Sequence, residues 1–246
     1  MNDTYALNDI EKLLSENTYP GRGIILGMTP DCKKAVAVYF IMGRSENSRN
    51  RVFEETGDDL IIYPADESKV EDPSLIIYKP VRKFENRLIV TNGDQTDTIY
   101  EFLEAGKSFG EALSTRCFEP DAPNYTPRIS GMLTFFEEEG SVCFKYKMSI
   151  LKSADSEGSA CNRFTYSYSP IGGTGHFLHT YKCDGNPIPT FEGEPERVKV
   201  ENDIDAYSKK IWDSLNPDNK ISLYVRYVDI ATGECENRLF NKNVRK

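Results

Sequence analysis

Strand-like runs of β-branched and aromatic residues return along almost the whole chain, while helical spacing is confined to three places. That imbalance limits the folds open to it. GRGIILGMT and KAVAVYFIMG, joined by the turn-like TPDCKK, predict a hairpin. DLIIYP, SLIIYKPV and NRLIVTN add strands, and RISGMLTFFEEEGSVCFKYKMSIL predicts a long hairpin turning at Glu139 and Gly140. Its second arm alternates, placing Val142, Phe144, Tyr146 and Met148 on one face. NRFTYSYSP, HFLHTYKC, ISLYVRYVDI and ENRLFN are four further strand candidates. Helical spacing occurs in LNDIEKLLSEN (Leu7, Ile10, Leu13, Leu14), ending at Pro20 and Gly21. It recurs in TDTIYEFLEAG (Ile99, Phe102, Leu103, with Asp94 as N-cap) together with KSFGEALSTR, and in IDAYSKKIWDSLN (Ile204, Tyr207, Ile211, Leu215). Many strands with segregated helices indicate layered α+β packing rather than alternating βαβ units. No repeat, low-complexity linker or compositional break divides the chain, so residues 1–246 read as one domain.

Charge and composition narrow the function. A net charge of −9 without a lysine- or arginine-rich track argues against nucleic acid as a partner. No run of about 18 apolar residues could span a bilayer. The start, MNDTYALNDIEKLL, lacks the basic and apolar regions of a signal peptide, so a cytoplasmic protein with reduced thiols is expected. The six cysteines show no CxxC spacing. Neither GxGxxG nor GxxxxGK[ST] occurs, and GxSxG and HExxH are also missing.

Four polar segments could carry chemistry. RSENSRNR (44–51) gathers Arg44, Arg49 and Arg51 with Asn47 and Asn50 in an acidic chain; it is either an anion clamp or a solvated loop paired with nearby acids. TNGDQTD (91–97) turns from strand to helix, and Asn92–Gly93 suits a tight turn with positive φ. Its amides could face an anion or merely start a capped helix. FEPDAPNYTPRISG (118–131) is stiffened by prolines and delivers Glu119, Asp121, Asn124, Tyr125 and Arg128, as a site or as a structural connection. GGTGHFLHTY (172–181) holds the only two histidines. A zinc site of His176, His179 and Cys183 is disfavoured, because odd spacing on a strand sends the histidines to opposite faces. One cleft histidine and one structural histidine are expected, and no metal.

In order, GRGIILGMTPD, RSENSRNR, DPSLIIY, VTNGDQTD, APNYTPRISG and GTGHFLHTY resemble the archaeal-type IMP cyclohydrolase family over about residues 21–181. The resemblance implies a four-layer αββα sandwich like that of N-terminal nucleophile hydrolases. It also implies closure of 5-formamidoimidazole-4-carboxamide ribonucleotide to IMP with loss of water, the last step of purine synthesis, without cofactor. By residue, it points to Arg44, Ser45, Asn50 and Arg51 for substrate binding, with Arg44 and Arg51 on the 5′-phosphate. Tyr78, the strand-end tyrosine, becomes the proton donor or oxyanion partner. Asn92 and Asp94 line the pocket at the helix start, and His176 joins the substrate contacts. Arg128 matches the T-P-R-I arginine, with Asn124 and Glu119 orienting the carboxamide or moving protons.

Two other functions stay open. A related amidohydrolase with an N-terminal nucleophile would need processing, since removing Met1 exposes Asn2. A nucleotide-binding or regulatory module would keep the arginines without turnover. Apolar alternation on both faces of several strands suits either two packed sheets or a subunit interface, leaving a homo-oligomer open.

Overall fold

The computed structural model describes residues 5–70 and 77–246, and contains five α-helices and thirteen strands among them. All thirteen strands lie in two sheets. The six-stranded sheet is built from β1 (Arg22–Met28), β2 (Lys34–Met42), β10 (Thr174–His179), β11 (Glu196–Lys199), β12 (Lys220–Asp229) and β13 (Cys235–Asn241), in the order β11-β10-β1-β2-β12-β13. The seven-stranded sheet runs in chain order through β3 (Val52–Thr56), β4 (Asp59–Tyr63), β5 (Val81–Phe84), β6 (Arg87–Thr91), β7 (Arg128–Glu138), β8 (Ser141–Ser153) and β9 (Cys161–Tyr168). Pairing between neighbouring strands is antiparallel throughout.

β2 shows why the sheets pair. Its period-2 side chains divide cleanly: Ala35, Ala37, Tyr39 and Ile41 join a core shared with the other sheet, through Phe53, Leu60, Val90 and Ile129. Val36, Val38, Phe40 and Met42 face the opposite way, under helices α1 (Ile10–Glu16) and α5 (Ile204–Ser214). A strand buried on both faces reads as a continuous apolar run, as KAVAVYFIM does. On the seven-stranded sheet, Ile89, Met132 and Leu151 pack under Ile99 and Leu103 of α3 (Gln95–Glu104) and Phe109, Ala112 and Leu113 of α4 (Phe109–Ser114). Burying each such aliphatic side chain contributes about 1.5–3 kcal/mol, so neither sheet stands without its neighbours.

The hairpins form where the turn chemistry pointed. Glu139 and Gly140 both take positive φ between β7 and β8 (51° and 80°). Other details differ from expectation. Arg44–Arg51 is not a plain loop: Ser45 caps a one-turn helix, α2 (Glu46–Arg49), through reciprocal hydrogen bonds with Ser48. The strand expected over SLIIYKPV falls partly outside the described residues, and within them strand geometry starts only at Val81. Tyr78 precedes that strand instead of ending one. Asp94 occupies the N-cap of α3 without capping it by side chain, because its carboxylate is taken by two arginines. No helix of the described residues is long and apolar enough to cross a membrane.

Candidate active site

One end of the paired sheets collects polar side chains that the core would otherwise exclude. β1 begins there with Arg22, β7 begins there with Arg128, and Arg51 enters β3 from the same side. Gly21 makes the approach of β1 possible. It takes φ +78°, and a Cβ would lie 2.3 Å from Thr180 Oγ1.

Arg22 donates from Nη1 to the Met42 carbonyl at 2.8 Å, and Arg51 keeps a buried Nε with no hydrogen-bond partner. Among the described residues neither guanidinium has a carboxylate within ion-pair distance. Burial lowers the pKa of Arg51, and the facing Arg22 adds to the effect. For Arg22 burial also opposes the charge, but the oxygens of Tyr19, Tyr39, Tyr78 and Tyr181 outweigh it and the pKa is raised. Two half-buried cations facing phenols are short of an anion.

A tyrosine relay runs beside them. The Tyr39 hydroxyl lies 3.1 Å from that of Tyr78, which donates to the Asn92 carbonyl at 2.8 Å. Burial raises both phenol pKa values, so each keeps its proton and acts as a donor.

The third arginine is clamped. Arg128 Nη1 donates to Asp94 Oδ1 at 2.6 Å and to Gln95 Oε1 at 2.7 Å, and Arg116 holds the other oxygen of Asp94 at 2.5 Å. Burial alone would raise the Asp94 pKa, yet the two arginines bring it below the usual carboxylate value. Gly93 is a glycine for close approach, not for the positive φ expected of it: a Cβ there would sit 2.5 Å from Arg128 Nη1 and 3.6 Å from Glu119 Oε1. Glu119 thus stands against the clamp. Burial raises its pKa, Asp121 adds to this, and Arg128, Arg22 and Arg51 oppose it. A carboxyl that can be protonated beside three arginines is suited to proton transfer.

The other sequence-derived candidates hold the scaffold. Asn92 is buried, donating to the Pro127 carbonyl at 2.8 Å and accepting from Ile129 N and Gln95 Nε2 at 2.9 and 3.0 Å. Asn50 clamps both backbone groups of Asp66, and Asn124 Oδ1 accepts from Ile188 N at 3.0 Å. Arg44 pairs with Asp184, donates to the Gly185 carbonyl at 2.9 Å and lies 5.0 Å over the Tyr19 ring, at the rim of the cluster. His176 is held by the Tyr146 hydroxyl at 2.7 Å and stacked on Tyr168, on the face between the sheets. His179 faces the other way, stacked on Phe177. Burial pushes each imidazole down to about 4. No group of three or more His, Cys, Asp or Glu among the described residues could hold a metal.

Three members of the cluster escaped the sequence reading. Arg22 had a signal, a lone arginine between two glycines in an apolar strand. Tyr39 looks like any core aromatic. Tyr181, whose hydroxyl meets Thr126 Oγ1 at 2.6 Å while Thr126 bonds Asp121 at 2.5 Å, depends on contacts far apart in the chain.

The sequence matches the model of a family described as IMP cyclohydrolase-like protein over residues 19–234, which covers every residue of the cluster. The chain belongs to this family. A protein of Methanococcus aeolicus named IMP cyclohydrolase is 31% identical over 204 residues, covering 78% of this chain and 92% of that one. Proteins of the same name from Methanopyrus kandleri and Methanocella arvoryzae are 34% and 32% identical over shorter stretches. Those matches span little more than half of each relative, 57% and 58%. The family match extends well past the segment around residue 181 where the sequence motifs end, and takes in α5 and β12.

Proposed function

We propose that this chain is an IMP cyclohydrolase, closing 5-formamidoimidazole-4-carboxamide ribonucleotide to IMP with loss of water. The observation that carries the reading is the pair of half-buried guanidiniums, Arg22 and Arg51, without carboxylate partners in a family whose named relatives are IMP cyclohydrolases. With Arg44 at the rim, they would take the substrate's phosphate, for which guanidinium geometry is well matched. The carboxamide nitrogen then attacks the formyl carbon, forming a C–N bond and a tetrahedral oxyanion. Tyr78, kept protonated by burial, donates to that oxygen, turning from the Asn92 carbonyl. Glu119 takes a carboxamide proton and passes it to the oxyanion. The C–O bond then breaks as the ring C=N bond forms, and the hydroxyl departs as water with the proton of the former formamido nitrogen, relayed by Glu119. Arg128, Asp94 and Asn92 hold this geometry, and the restriction of the two ring substituents supplies several kcal/mol, on the order of effective-molarity effects.

The reading extends to architecture. Two facing sheets with helices on their outer sides support one domain with a four-layer αββα sandwich of the N-terminal nucleophile hydrolase kind. The direct test is to incubate the purified protein with the formamido ribonucleotide and follow IMP by chromatography. IMP formed well above the buffer rate supports the proposal. Saturable IMP binding without turnover would replace it with a nucleotide-binding module.

A further inference from the structure

Two thiols meet beside the Arg128 clamp. After α4 the chain runs through Arg116, Cys117 and Phe118 along the start of β9. Arg163 of β9 fixes that approach. Its Nη2 donates to the Arg116 carbonyl at 2.7 Å and its Nη1 to the Cys161 carbonyl at 3.2 Å. One guanidinium thereby ties the residue before Cys117 to Cys161, the first residue of the strand. The Cys161 thiol is in hydrogen-bond contact with that of Cys117 and accepts from the Phe118 amide.

The two sulfurs differ in access. Cys117 is exposed, whereas Cys161 is half-buried against the core under α3 and α4. Burial raises the Cys161 pKa and the Cys117 contact adds to it, so Cys161 keeps its proton until Cys117 has reacted. Cys32 and Cys235 are also exposed, but their sulfurs meet backbone carbonyls, those of Pro30 and Gly233. The segment at Cys117 bears directly on the site. Arg116 holds Asp94 at 2.5 Å, and Glu119 follows Cys117 by two residues.

We propose that Cys117 and Cys161 are a reversible disulfide-forming pair, oxidised by small-molecule disulfides such as glutathione disulfide. The Cys117 thiolate attacks one sulfur of glutathione disulfide, forming a mixed disulfide and releasing one glutathione thiolate. Cys161 then attacks the Cys117 sulfur and releases the second. The two departing thiolates take the two protons, so two protein thiols are oxidised as one glutathione disulfide is reduced. A disulfide holds its sulfurs about 2.05 Å apart, well inside hydrogen-bond distance. Closing that gap draws the segment from Arg116 to Glu119 toward β9, and a misplacement of about 1 Å can cost a hundredfold in rate. The effect on rate rests on the ring-closure reading; the bond itself does not.

The test is to incubate the reduced full chain with glutathione disulfide, block remaining thiols with N-ethylmaleimide and digest with trypsin without reductant. Cleavage leaves Cys117 in peptide 117–128 and Cys161 in peptide 153–163, so the bond appears as one cross-linked species. That species is expected to predominate over adducts of either cysteine and to vanish with dithiothreitol. The oxidised protein should show kcat/KM lower by about tenfold or more, restored by dithiothreitol. Cys117→Ser should keep the reduced rate within about twofold and lose the response to oxidant. Recovery of Cys117 and Cys161 as separate glutathione or maleimide adducts, as for Cys32 and Cys235, overturns the proposal. A cross-link formed with the rate unchanged overturns the displacement of Glu119. A reduced protein without ring closure would sink that reading alone, and the cross-linked peptide would still decide this one.

Discussion

Arg51 and Arg226 are the same residue type, both set between the same two sheets, at opposite ends. At the Arg226 end, two neutral acceptors fix the guanidinium and tie β12 to β13 and to the β3–β4 turn. At the Arg51 end the Nε is left without a partner, a second arginine faces it, and the phenols of Tyr39 and Tyr78 and the Glu119 carboxyl act on its charge. The first arrangement holds the sheets together. The second holds two like charges together at a cost in stability, the pattern expected of a preorganised anion site.

The sharpest way to break this contrast is to remove each charge and measure stability. Arg226→Met should cost about 2 kcal/mol in urea unfolding, because the part-buried Asp58 carbonyl and Asn237 Oδ1 lose their donor. Arg51→Met should leave stability unchanged or raise it, since it relieves cation crowding. A larger loss at Arg51 than at Arg226 would invert the assignment.

Acidity offers the next test. His176 and His179 are held down to about 4 by burial, against an ordinary value of 6.5. Between those values the unfolded chain binds more protons, so stability is full above pH 6.5 and is lost as pH falls toward 4, by about 3 kcal/mol for the more deeply buried His179 and less for His176. His179→Gln should flatten that limb in pH-dependent unfolding. Glu119 has the opposite sign. Its raised pKa means its contribution is present below the ordinary glutamate value and is lost as pH rises above it. Glu119→Gln should therefore stabilise the protein more at pH 8 than at pH 4.

Much of this architecture was legible, and the reason is locality. The β1–β2 and β7–β8 hairpins, and the apolar faces of α1, α3 and α5, follow from side-chain period and turn residues within a few positions. β3 and β11 were not anticipated, since VFEET and ERVK are short, partly charged edge strands whose pairing is set by neighbours. At the site, Arg51, Glu119 and Arg128 stood out because prolines and clustered arginines mark their loops. Ser45 and Asn50 belong to the same stretch, yet the structure ties them into a helix cap and the Asp66 backbone. A residue type near a motif does not reveal whether its hydrogen bonds are already taken.

The smallest effect is expected at Arg44, the rim arginine. Its pairing with Asp184 is exposed, so Arg44→Ala should change stability by less than about 1 kcal/mol and raise KM only a few-fold. A hundredfold rise in KM would move the phosphate from Arg51 to the rim.

The contrast between the two ends rests finally on Arg51 itself. Its direct test is the ring-closure rate of Arg51→Ala beside the unsubstituted protein, with thermal unfolding measured in parallel. The expected result is a kcat/KM lower by about a hundredfold or more at an unchanged or higher Tm. A folded Arg51→Ala protein whose kcat/KM stays within about threefold of the unsubstituted chain would contradict the assignment of this end as the site of ring closure.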